Sequence, residues 1–117
     1  MTEPTPADLY QTRNPTEGQV QRPIVKLFRD NGLHVIVLSQ DRAARKQLKG
    51  VSDLIVIGHD RVLFAECKRP LGGERSDVQV EFADDITPHL GEHVQYTVFW
   101  QPAQAEPWLA WFEGRRI

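Results

Sequence analysis

One cysteine, Cys67, is all the thiol this chain of 117 residues has. An internal disulfide is therefore excluded, a cysteine-based zinc site lacks its second ligand, and a reducing cytoplasmic setting is the expectation. Long apolar runs are missing as well, since none exceeds five residues. That is too short for a membrane-spanning helix, and no basic segment followed by an apolar one opens the sequence as a secretory signal would. Charge of one sign is not in excess: the net charge is −2, which on its own does not mark a polyanion binder. Repeats and low-complexity tracts are absent. Of the histidines, His34, His59, His89 and His93, the pair at 89 and 93 has helical spacing, but Pro88 and Gly91 spoil it, so zinc is not expected. Ser39 and Ser76 have no convincing triad partner.

What the chain does have is 40% apolar and 26% charged residues, ordinary for one globular domain of this length. The cations are unevenly placed. Arg42, Arg45, Lys46 and Lys49 follow one another with no acid between them, and Arg115 and Arg116 make a smaller basic end. Such clusters read either as solvated surface or as contacts to phosphate. Residues 1–13 hold two prolines and few apolar groups and read as a flexible arm before a single domain over 14–117.

Asn14 as N-cap, Pro15 at the first helical position and Glu17 three residues after the cap predict a helix there. Val20, Ile24, Leu27 and Phe28 recur at helical spacing and Gly32 ends the segment. Pro23 predicts a bend, or a fresh start at Arg22. Residues 33–39 form a strand by their β-branched content, and 53–58 and 62–68 give two more. Ser76, with Gln79 in the capping-box position, opens a second helix. Residues 93–100 alternate as a strand, and 108–113 read as a last one. The order α-β-β-β-α-β-(β) predicts a mixed α/β sheet with helices packed on it.

The two central strands raise a question, because Asp53, Glu66 and Lys68 stand at the ends of apolar segments. If the hairpin turn is centred between His59 and Asp60, paired residues have numbers that sum to 119, and Asp53 faces Glu66 with Cβ atoms roughly 4.5–5.5 Å apart. Lys68 points the same way as Glu66 by the period-two alternation of strands. Opposed carboxylates repel, more so when partly buried. Three things can offset this: Lys68 as a structural salt bridge, protonation of one acid, or a divalent cation held by hard oxygen ligands. Glu17 and Gln79 share the apolar stripes of their helices and so point toward the sheet, and both also fit capping boxes. Cys67 points to the opposite face and reads as core packing.

An aspartate opening a strand, a hairpin, and Glu-x-Lys closing the next strand resemble the PD-(D/E)xK nuclease superfamily. The early Glu17, "GVSDL" at 50–54, "ECK" at 66–68 and Gln79 on the following helix resemble its VRR-NUC branch in particular, over about residues 16–100. Ser52 departs from the proline usual at that position. The resemblance implies a restriction-endonuclease-like αβββαβ core and a Mg²⁺- (or Mn²⁺-) dependent endonuclease that hydrolyses DNA phosphodiesters. Asp53, Glu66 and the Cys67 backbone carbonyl would hold the metal. Glu17 would hold a water or second ion, Lys68 would orient or deprotonate the nucleophile, and Gln79 would position Lys68 or a phosphate oxygen. Arg42, Arg45, Lys46, Lys49, Arg69 and Arg75 are the expected DNA-binding set. Stand-alone members of this size resemble virus-encoded homodimers that resolve four-way (Holliday) junctions, which implies a bacterial or phage-infected cytoplasm. Trp108, Trp111 and Phe112 then serve either the dimer contact or the core. The competing reading is a catalytically silent DNA-binding or inhibitory module on the same fold.

Overall fold

The computed structural model describes residues 15–38 and 51–114. Helix α1 (Glu17–Asp30) starts at Thr16, not at Asn14: the Gln19 N–H donates to Thr16 Oγ1, and Gln19 Oε1 accepts from the Thr16 N–H. Asn14 itself lies outside the described residues. The capping box therefore belongs to Thr16 and Gln19, and Glu17 is left at the first helical position with its carboxylate near the helix's positive end. The helix neither breaks nor restarts at Pro23. The missing hydrogen bond is outweighed by a continuous buried stripe, with Val20, Ile24 and Phe28 fully enclosed. Gly32 (φ +81°) ends it. The Leu33 N–H donates to Phe28 O and the Gly32 N–H to Arg29 O, the paired pattern of a helix end that turns through a left-handed residue.

Four strands follow as one sheet in the order β1 (His34–Val37), β2 (Leu54–Gly58), β3 (Arg61–Cys67), β4 (Val94–Phe99). The first three are antiparallel neighbours and β4 runs parallel to β3. Parallel pairing needs a crossover, and helix α2 (Asp77–Ile86) provides it. The β2–β3 register is the expected one, Leu54 opposite Ala65 and Gly58 opposite Arg61. His59 and Asp60 both have positive φ. That makes a primed two-residue turn whose twist matches the strands.

One sheet face carries Val35, Leu54, Val56, Leu63, Ala65 and Cys67, and α1 closes over it. The segment expected as a last strand is helix α3 (Pro107–Phe112). Trp108, Trp111 and Phe112 sit at helical spacing there, and Pro107 suits a helix start. Trp111 and Phe112 are buried, with Phe112 edge-on to Phe28, so they close this chain's own core. Helix α2 lies on the other face, where Phe82 packs against Phe64 and Tyr96. The domain is thus a mixed α/β sheet flanked by helices. No helix among the described residues is long and apolar enough to cross a membrane.

Candidate functional site

The end of β3 is where charge enters the fold. Glu66 is fully buried and Lys68 is 5% exposed. Alternation puts Glu66 on the α2 face, away from the apolar core that receives Cys67. Across from it, Asp53 stands one residue before β2, its backbone held by the Leu38 N–H donating to Asp53 O at 2.9 Å. The ladder ends at the pair Leu54 and Ala65. Just beyond, the Asp53 side chain takes over from the backbone, and Oδ2 accepts the Cys67 N–H at 2.9 Å. Ser52, fully buried, donates to Leu54 O at 2.8 Å. That bond fixes the backbone at the start of the strand.

Burial raises the Asp53 carboxyl above its ordinary 3.8, with Glu17 and Glu66 adding to the rise and the Cys67 N–H and Lys68 opposing it. In the folded chain Asp53 thus holds its proton more tightly than in the unfolded chain. Between 3.8 and the raised value the native state binds more protons, so stability is fully present below 3.8 and declines as pH rises through the window. Asp53→Asn keeps an oxygen for the Cys67 N–H and removes the charge. Without metal, it is expected to be more stable than the parent at pH 7, and the advantage should vanish below pH 3.8. Urea unfolding across this pH range checks it; parallel pH profiles for the two proteins would contradict it.

Lys68 is held from two helices. Its Nζ donates to Gln79 Oε1 at 2.8 Å and pairs with Glu17 Oε1 at 3.6 Å. Gln79 both meets the lysine and caps its own helix. Its Oε1 also accepts the Ser76 N–H at 3.0 Å, and its own N–H donates to Ser76 Oγ, so the α2 cap and the lysine share one amide. The capping role expected for Glu17 falls to Gln19, which leaves the half-exposed Glu17 carboxylate for Lys68. The lysine therefore does not bridge Asp53 and Glu66. Asp53 is offset by a backbone N–H, and Glu66 by Arg75, whose Nε donates to Glu66 Oε2 at 3.1 Å. The other oxygen, Glu66 Oε1, is buried with no hydrogen-bond partner. Cys67 is fully enclosed, and burial first, then the Asp53 charge, pushes its thiol far up, so it is no nucleophile.

Two participants were not foreseen. Tyr96 accepts from Arg75 at 2.9 Å, and its ring lies 5.5 Å from the guanidinium carbon. Gly73 lets the loop after β3 fold back: a Cβ there would meet Arg69 O at 2.4 Å and Lys68 Cβ at 3.2 Å. The Gly72–Gly73 pair was the visible sign of that close approach. Arg69 is half-buried beside the site. Arg42, Arg45, Lys46 and Lys49 lie outside the described residues, as do Arg115 and Arg116.

Among the described residues no group of three or more His, Cys, Asp or Glu side chains is set to hold a metal. The site instead offers two carboxylates of unlike surroundings, one ammonium fixed by an amide and a third carboxylate, and one buried acceptor oxygen lacking a donor. Comparison with family models, curated proteins and solved structures gives no match for this chain.

Proposed function

We propose that this chain is a metal-dependent endodeoxyribonuclease of the VRR-NUC branch of the PD-(D/E)xK superfamily, acting on branched DNA. The observation that carries the reading is the convergence on Lys68. Glu17 from α1 and Gln79 from α2 meet it at the sheet end that also bears Asp53 and Glu66, with the residues in the family's order. The succession α1-β1-β2-β3-α2-β4 fits a restriction-endonuclease-like core.

The donor set suits a hard divalent ion. Mg²⁺ keeps several of its waters and takes one or two carboxylates, and Glu66 Oε1 is an acceptor whose burial no donor offsets. Asp53, Glu66 and the Cys67 carbonyl would hold the ion, which supplies charge against the phosphate in the transition state and acidifies the attacking water. The chain's own work is positional. Gln79 and Glu17 fix the Lys68 ammonium, which orients the water and balances negative charge as the phosphorus is attacked. A two-fold dimer would set two such sites on a two-fold junction.

A second reading, a silent DNA-binding module, is favoured by one feature: Arg75 already neutralises Glu66. Calorimetry with Mn²⁺, and cleavage of labelled linear, flap and four-way junction DNA in Mg²⁺, separate the two. The parent is expected to bind Mn²⁺ and cut, and Asp53→Asn to do neither. Mn²⁺ binding that survives Asp53→Asn would remove the metal site from this position.

A further inference from the structure

Arg75 makes more contacts than a DNA-gripping arginine needs. Nε donates to Glu66 Oε2 at 3.1 Å, an Nη donates to Tyr96 Oη at 2.9 Å, and the guanidinium carbon lies 5.5 Å from the Tyr96 ring centre. Its side chain is 28% exposed while that of Glu66 is 0% exposed. The arginine therefore reaches in from the rim to a carboxylate that cannot itself reach water. Tyr96 is fixed from behind, because β4 runs parallel to β3 with Tyr96 paired to Phe64 and its ring packs on Phe82.

A buried carboxylate must be neutralised by something. With no cation at Glu66, Arg75 does it, but incompletely, since Oε1 stays without a partner. A divalent ion at Glu66 would place its charge where Arg75 now supplies one. Two cations on one carboxylate repel each other at short range, and Arg75, 28% exposed, stands at the rim where it can turn to solvent.

We infer that Arg75 is a gate on the metal site: it occupies Glu66 while no ion is bound, and leaves for the rim when a divalent ion arrives. There its forked donors suit a DNA phosphate. Ion and DNA then favour each other, because the ion releases the arginine that the DNA uses. This rests on the metal-dependent reading above, and Tyr96 is a positioning residue within it, bracing the guanidinium in the closed position.

The test follows the arginine directly. The Arg75 Nε–H resonance, assigned by its loss in Arg75→Lys, is expected to shift and lose its protection from solvent exchange as Mg²⁺ is added to the intact chain. Tyr96→Phe keeps the ring and both charges and removes the hydroxyl that holds Arg75 and meets Glu66, so by calorimetry it is expected to bind Mn²⁺ about ten- to a hundredfold more tightly than the parent, the worth of one hydrogen bond to a charged group. If Mn²⁺ binds while the Arg75 signal stays put, or if Tyr96→Phe binds it no more tightly than the parent, Arg75 is a fixed counter-charge and the gate is wrong. Absence of Mn²⁺ binding to parent and variants alike would overturn the metal-dependent reading itself.

Discussion

The Lys68→Ala variant is expected to cut DNA about 10²–10⁴-fold more slowly than the parent, the range for loss of a positioned proton-transfer or charge-balancing group. Its binding of DNA and of Mn²⁺ should stay close to the parent's. Exposure decides between this and a role in bulk attraction. At 5% exposed, Lys68 contributes little to the field that draws a polyanion in. Its ammonium is held in one place by Gln79 at 2.8 Å and Glu17 at 3.6 Å, an arrangement that suits chemistry at a point. The change should cost little stability, because both partners have other satisfaction: Gln79 keeps its cap with Ser76, and Glu17 is half in water. Lys68→Arg should not rescue the rate, since the planar fork is larger than the ammonium and donates in a fixed geometry. Single-turnover rates at saturating protein, alongside Mn²⁺ calorimetry, make the measurement. An undiminished rate in Lys68→Ala would reduce the lysine to a structural partner of Glu17 and Gln79.

How much of this site could be read from the chain depends on how local each part is. The hairpin was legible because a two-residue turn fixes register, and two apolar segments of equal length left one centre for it; the pairing of Leu54 with Ala65 is the result. The α2 cap was legible because Ser76 and Gln79 interact over three residues. The α1 cap was not read correctly, since Asn14 and Thr16 are both good caps and only the partner, Gln19 rather than Glu17, decides. The last helix was read as a strand because aromatic residues favour strands in a short window, although the spacing of Trp108, Trp111 and Phe112 had the helical period. The Glu66–Arg75–Tyr96 chain of contacts was out of reach. Arg75 and Tyr96 are 21 residues apart, and they meet only because a crossover lays β4 beside β3.

Phe28→Ala is expected to destabilise the fold by about 3–5 kcal/mol, the usual result of emptying a phenylalanine site in a core. Phe28 is fully buried and is the hub of the aromatic core: its ring centre lies 6.3 Å from that of Phe99 and 6.0 Å from that of Phe112. Those neighbours come from β4 and α3, so no single element can move in to fill the space, which favours the upper part of the range. Against a total stability of roughly 5–15 kcal/mol for a domain, the loss is a fifth or more, and the urea midpoint should fall while the slope stays near the parent's. Phe82→Ala should cost less, because Phe82 is only half-buried on the other face. The cavity also lies behind the site, since Phe99 O accepts the Lys68 N–H at 2.9 Å. If the sheet keeps its shape, the Phe28→Ala molecules that remain folded at low temperature should still cut at close to the parent's rate, and the defect should appear as a smaller folded fraction. A destabilisation below about 1 kcal/mol would mean that Phe28 is not enclosed as the structure has it, because truncating a fully buried phenylalanine does not come so cheaply.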